Sequence, residues 1–130
     1  MRNIGITLLL LFGIYACSEA QQIKRLSGKD FKNLMEKTPN KIVLDVRTNG
    51  EVAQGVIAQA IQIDYSNPNF DKQLDRLDKN KPVFIYCAVG GRSRGASTIL
   101  AKKGFKQIYD LEGGINTWQS LGFPTAKITK

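Results

Sequence analysis

The sequence contains no histidine. That absence removes the imidazole that activates serine and cysteine nucleophiles in paired sites, and with it the commonest metal ligand. Cysteine is nearly as scarce, with Cys17 and Cys87 the only two. Such a chain has no ligand set for structural zinc, so no metal site and no cofactor are expected. Long apolar runs are also missing, apart from Ile4 to Ala16, which is polar only at Thr7. That run is shorter than the roughly 20 residues of a membrane-spanning helix. Nor is there a basic repeat interleaved with aromatics, so nucleic acid is not an expected partner despite a net charge of +8.

What is there begins with that apolar run. Met1-Arg2-Asn3 precedes it, and Cys17 and the polar Ser18 to Gln22 follow. A basic start, an apolar stretch and a small residue at the cut describe a secretory signal peptide. Ile14-Tyr15-Ala16-Cys17 resembles the lipobox of bacterial lipoproteins, in which the cysteine is lipidated and becomes the first residue. The resemblance implies a signal peptide over 1–16, lipid on Cys17, a polar tether over 17–25 and one domain over 26–130. It further implies export to the bacterial cell envelope, facing the periplasm or the exterior, with the membrane met through the lipid anchor only. Cys87 is then the only thiol of the mature chain. An unpaired cysteine in an oxidising space is a liability unless it is buried or used.

The remaining sequence alternates between strand and helix periods. Ser27 caps a helix from near Gly28, with Asp30 at its third position and Phe31, Leu34 and Met35 on one face. Lys41 to Val46 reads as a buried strand. A helical turn around Asn49 to Gln54, a strand at Ala60 to Ile63 and a helix over Phe70 to Asp78 follow. Pro82 to Tyr86 is the most strand-like run, Ser93 opens a helix, and Gly104 stands where a C-terminal glycine belongs. Gln107 to Asp110 and Ile115 to Leu121 give a last strand and a last helix. This order predicts an α/β domain with a mainly parallel central sheet and helices on both faces.

Ligands of such sheets bind beyond the carboxyl ends of the strands. There the chain reads Cys87-Ala88-Val89-Gly90-Gly91-Arg92-Ser93. Helix N-termini carry unpaired N–H groups and partial positive charge, both of which favour an anionic sulfur at Cys87. Gly90 and Gly91 let successive N–H groups converge on one centre, and Arg92 adds a cation, with Arg94 behind it. Taken singly, a cysteine after an apolar strand is often a small buried hydrophobe, and Gly-Gly before a helix is often only a tight connection. Their occurrence together in one strand-loop-helix unit points to function.

Several segments carry a resemblance to a known family. They are Val43-Leu44-Asp45-Val46-Arg47 with Glu51, Ile85-Tyr86-Cys87 with Gly90, Arg92 and Ser93, then Gly104-Phe105, and Leu111-Glu112-Gly113-Gly114-Ile115 with Trp118. In this order and spacing the chain resembles the single-domain rhodaneses, or sulfurtransferase-like domains, over about residues 26 to 122. The resemblance implies that Cys87 takes a sulfane sulfur from a small anionic donor such as thiosulfate and passes it, as a persulfide, to a thiol, cyanide or thioredoxin-like acceptor. It implies that the amides of Ala88, Val89, Gly90, Gly91, Arg92 and Ser93 cradle that sulfur, with Arg92 also meeting the donor. Asp45, Arg47 and Glu51 are read as support, with Glu51 paired to Arg47, and the Gly113-Gly114 turn and Trp118 as packing. The sequence departs from the family where Gly55 is followed by Val56 instead of histidine and where Gln59 replaces a glycine.

Two other readings compete. A phosphatase or arsenate reductase of related fold would carry its loop arginine one residue later, where this chain has Ser93. A non-enzymatic module would bind ligands or sense oxidation and persulfide at Cys87 without turnover.

Overall fold

The computed structural model describes residues 22–128, so the expected signal segment and the lipidation site Cys17 lie outside the described residues. The chain runs β1 (Ile23–Leu26), α1 (Gly28–Lys37), β2 (Ile42–Asp45), α2 (Asn49–Val52), β3 (Ile61–Gln62), α3 (Phe70–Leu74), β4 (Val83–Tyr86), α4 (Gly91–Lys102), β5 (Ile108–Leu111) and α5 (Gly114–Ser120). The strands form one sheet in the order β1-β5-β4-β2-β3, and every pairing in it is parallel. From β2 the chain moves to β3 on one side, and from β4 it moves to β5 on the other. The direction of winding therefore reverses between β2 and β4, which opens a crevice at their carboxyl ends.

The strand period sets the two faces. β4 is fully buried, and its side chains alternate. Val83 and Ile85 pack with Leu44, Leu100, Phe105 and Ile108. Phe84 and Tyr86 pack on the opposite face with Phe31, Leu111, Ile115 and Trp118. One residue further on, Cys87 falls on the Ile85 face and belongs to that cluster. The same period thus aims the thiol at α4.

Three boundaries differ from those the sequence suggests. Residues 23–25, placed in the tether, form most of β1, whose Ile23–Leu26 lie in register with Ile108–Leu111. Lys24 and Arg25 are exposed, so this polar edge strand lacks the apolar run that marks a strand in sequence. α3 stops at Leu74, and a turn in which the Asp78 carboxylate accepts from the Asn80 N–H at 2.9 Å lies where the helix was expected to end. Leu77 nevertheless packs on the core. α4 begins at Gly91, two residues before Ser93, because Gly90 adopts a left-handed φ of +109° and acts as its N-cap. Arg92 and Ser93 therefore belong to the first helical turn.

Candidate active site

Cys87 directly follows the central strand and is fully buried. The Gly90 N–H donates to its Sγ at 3.0 Å. The thiol in turn donates to Ser93 Oγ at 3.5 Å, and the Ser93 hydroxyl donates to Asp110 Oδ1 at 2.7 Å. Ala88 is half-buried, while Val89 is 67% exposed and makes the outer wall of the loop.

The loop is held from beneath by α5. Ile115 N–H donates to the Cys87 carbonyl at 2.9 Å, and Asn116 N–H donates to the Ala88 carbonyl at 3.1 Å. Each trans peptide plane points its N–H opposite to its carbonyl. The amides of Ala88 and Val89 therefore face away from α5. Gly114 makes this contact possible: its φ is +63°, and a Cβ there would stand 2.5 Å from the Cys87 carbonyl oxygen. The Gly113-Gly114 turn, read from sequence as packing, is the floor of the Cys87 loop.

Glu51 and Arg92 hold the loop from the side. Glu51 is the third residue of α2, where it completes a capping box with Thr48. The Thr48 N–H donates to Glu51 Oε1 at 3.2 Å, and the Glu51 N–H donates to Thr48 Oγ1 at 3.4 Å. So fixed, the carboxylate receives both Arg92 terminal nitrogens, at 2.7 and 2.8 Å. The expected Glu51–Arg47 pair is therefore replaced by Glu51–Arg92, and Arg47 reaches only the Glu51 backbone carbonyl, at 3.4 Å. The reason is local, since Arg47 folds back on Asp45 two residues earlier. Its Nη2 donates to Asp45 Oδ2 at 2.7 Å and to the Gly55 carbonyl at 2.8 Å. Arg92 is correspondingly a brace with its fork occupied, and not a free guanidinium awaiting an anion.

Asp45 and Arg47 are buried and lie against Tyr86, the residue before Cys87. Asp45 is the register partner of Tyr86, the Arg47 guanidinium lies over the Tyr86 ring, and the Tyr86 hydroxyl accepts from the Ile57 N–H at 2.9 Å. Burial and then the Asp45 charge push the Tyr86 hydroxyl far above its ordinary range, so it stays protonated. Val56, standing where the family often has histidine, is buried and forms a two-way backbone bridge with Ala126. The connection is thus closed by two main-chain hydrogen bonds.

A buried cysteine on the Gly90 amide, an arginine braced by a capping glutamate and a glycine floor form one unit. Residues 27–121 match the rhodanese-like domain. The chain belongs to the rhodanese-like domain family. It is 31% identical over 107 residues to the thiosulfate sulfurtransferase GlpE of Coxiella burnetii, covering 82% of this chain and 96% of that protein. The solved structure of a rhodanese-related protein from Thermoplasma volcanium superposes with a TM-score of 0.70 at 31% identity, covering 79% of this chain and 97% of that one. The tRNA uridine(34) hydroxylase of Pelagibacter ubique is 34% identical over 104 residues, but these make up only 34% of its length. A relative that this rhodanese-like domain matches over nearly its whole length thus carries a sulfurtransferase name.

Asp110 was not singled out from the sequence. Its signal was a charged residue inside the apolar run Ile108-Tyr109-Asp110-Leu111, at the carboxyl end of a strand where α/β domains of this kind bind ligands. The Glu51–Arg92 brace of the rhodanese-like domain carries a pH dependence. Arg92 foremost, with Thr48, holds the Glu51 carboxyl down at about 2 against an ordinary 4.5. A depressed value means that the brace is complete above about pH 4.5 and is lost as pH falls toward 2. Glu51→Gln is expected to lower unfolding free energy by about 1 kcal/mol or less, since the pair is partly exposed. Urea melts of both proteins from pH 7 to pH 2.5 should show that difference closing only below about pH 4.5.

Proposed function

We propose that this protein is a sulfurtransferase that carries a sulfane sulfur on Cys87. The thiolate attacks the outer sulfur of thiosulfate, a polysulfide or another persulfide donor. An S–S bond forms to Cys87, the donor's own S–S bond breaks, and sulfite or a thiolate leaves with the bonding electrons. The acceptor, a small thiol, cyanide or a thioredoxin-like protein, then attacks the terminal sulfur, and the Cys87 thiolate is the leaving group. The observation that carries the reading is the Gly90 N–H on Sγ at 3.0 Å, at the head of a helix whose first turn holds Ser93 beside the same sulfur. A backbone donor of this kind, at the head of a helix, stabilises negative charge on the attacking and the leaving sulfur alike. The proposal extends to location: the Cys17 motif supports work at the bacterial cell envelope, with the membrane met through lipid alone.

The test is intact-mass spectrometry of the purified protein after thiosulfate or polysulfide. One added sulfur is expected, absent in Cys87→Ser and removed by cyanide or a small thiol. No adduct from any of these donors would sink the proposal and leave a binding or redox-sensing module.

A further inference from the structure

The transfer chemistry makes no use of Asp110, although this carboxylate is buried and only one side chain separates it from the reacting sulfur. That side chain, Ser93, has a single hydroxyl proton and two lone pairs. It can donate in one direction only. At 2.7 Å the Asp110 oxygen takes the proton, ahead of the Gly90 carbonyl at 3.3 Å, because a charged acceptor at shorter range makes the stronger bond. A lone pair of Oγ is then left facing Sγ at 3.5 Å.

We infer that Asp110 is a positioning residue that decides, through the direction of the Ser93 hydroxyl, whether the Cys87 sulfur meets a hydrogen-bond acceptor or a donor. With Asp110 ionised, Oγ accepts from the thiol and the proton stays on sulfur. With Asp110 protonated, its O–H donates to Oγ, the hydroxyl reverses, and its proton points at an anionic sulfur. Moving one proton from Sγ to the Asp110 carboxyl while the hydroxyl reverses interconverts the two forms. Only S–H and O–H bonds change, and no other reactant is needed. Cys87 and Asp110 are thus joined through the one hydroxyl of Ser93.

The surroundings allow both forms. Arg25 of β1 places Nε 3.6 Å from Asp110 Oδ2, and Arg94 of α4 and Glu112 beyond β5 line the same cleft of about 300 Å³ that opens on Asp110. Burial pushes the Asp110 carboxyl up, against the Ser93 hydrogen bond and the charges of Arg25 and Arg94. The protonated form is thereby brought closer to neutral pH. The open cleft gives the proton a route to water that does not pass the sulfur.

The inference takes Cys87 as the nucleophile of the proposed transfer, but its test reads the thiolate directly. The rate of Cys87 alkylation by iodoacetamide is followed across pH by peptide mass for the wild type, Asp110→Asn, Ser93→Ala, the double variant and Arg25→Gln. In Asp110→Asn the acceptor charge is gone and the new amide can donate to Oγ. Alkylation on the acid side of the midpoint should therefore be about three- to tenfold faster. In the Ser93→Ala background the same change should have less than about half that effect on a logarithmic scale. Arg25→Gln, at a side chain 41% exposed and so tolerant of substitution, favours protonated Asp110 and should also speed alkylation. Loss of a cation acting on the sulfur by charge alone would slow it. Equal effects of Asp110→Asn with and without Ser93, or slower alkylation in Arg25→Gln, would overturn the inference. Shifted profiles in a protein that takes up no sulfur would support the inference and overturn the transfer proposal instead.

Discussion

Gly114→Ala is expected to remove most sulfur uptake at Cys87 and to lower unfolding free energy by about 3 kcal/mol or more. Two costs add. At φ +63° an L side chain carries about 1–2 kcal/mol of strain. The new Cβ would also lie 2.5 Å from the Cys87 carbonyl oxygen and 2.5 Å from the Ala88 carbonyl carbon. Both neighbours are backbone, so neither can swing aside. The chain must instead separate α5 from the loop and lose the Ile115 and Asn116 hydrogen bonds to the Cys87 and Ala88 carbonyls. Those bonds orient the peptide planes under the sulfur. Thermal melting should fall by roughly 10–20 °C, and the loading assay should fail even where the variant is still folded. Gly50→Ala adds a methyl in α2 where nothing lies within 4 Å, and should leave both measurements within error. A Gly114→Ala protein with wild-type melting would show that the loop does not rest on this turn.

The second large effect concerns Asp45. Its carboxylate is fully buried, and Arg47 meets it through Nε at 3.0 Å and Nη2 at 2.7 Å. Removing one partner of such a pair strands the other charge in the interior, at about 3–5 kcal/mol. Asp45→Ala should therefore destabilise by that amount in urea. Asp45→Leu combined with Arg47→Met should recover most of the loss, because the penalty comes from the unpaired ion and not from the missing attraction. If the double variant is no better than Asp45→Ala, the pair holds the β2 end by geometry that apolar side chains cannot replace. Sulfur loading separates a further point. A stable double variant that loads normally confines the pair to architecture, whereas one that loads poorly places it in the alignment of Tyr86 and hence of Cys87.

The sheet was largely legible because its signals are local. The β-branched runs at Lys41 to Val46 and Pro82 to Tyr86 and the glycine stops between helices all depend on near neighbours in sequence. The Cys87 loop was legible for the same reason, since Cys87, Gly90, Gly91 and Arg92 are consecutive or nearly so. Even its error was small: the helix begins at Gly91, ahead of Ser93, because the conformation of Gly90 was not readable. Edge strand β1 escaped because its hydrogen bonds go to β5, distant in the chain, and two of its side chains are polar.

Partner choice was another matter. Glu51 stands four residues from Arg47, and proximity along the chain suggested that pair. In the fold Glu51 instead meets Arg92, 41 residues away, because the Thr48 cap fixes its carboxylate toward α4 while Arg47 turns back on Asp45. Asp110 and Ser93 are 17 residues apart, and β5 has to lie beside β4 before they meet. The sequence by itself determined the fold class and the strand-loop-helix unit that bears Cys87, since propensity, period and glycine placement act within a few residues. Only the tertiary structure decided which charges neutralise one another, what supports the loop from beneath and which carboxylate faces the thiol through Ser93. Those contacts join strands and helices whose approach depends on packing of the whole sheet, and no local pattern encodes it.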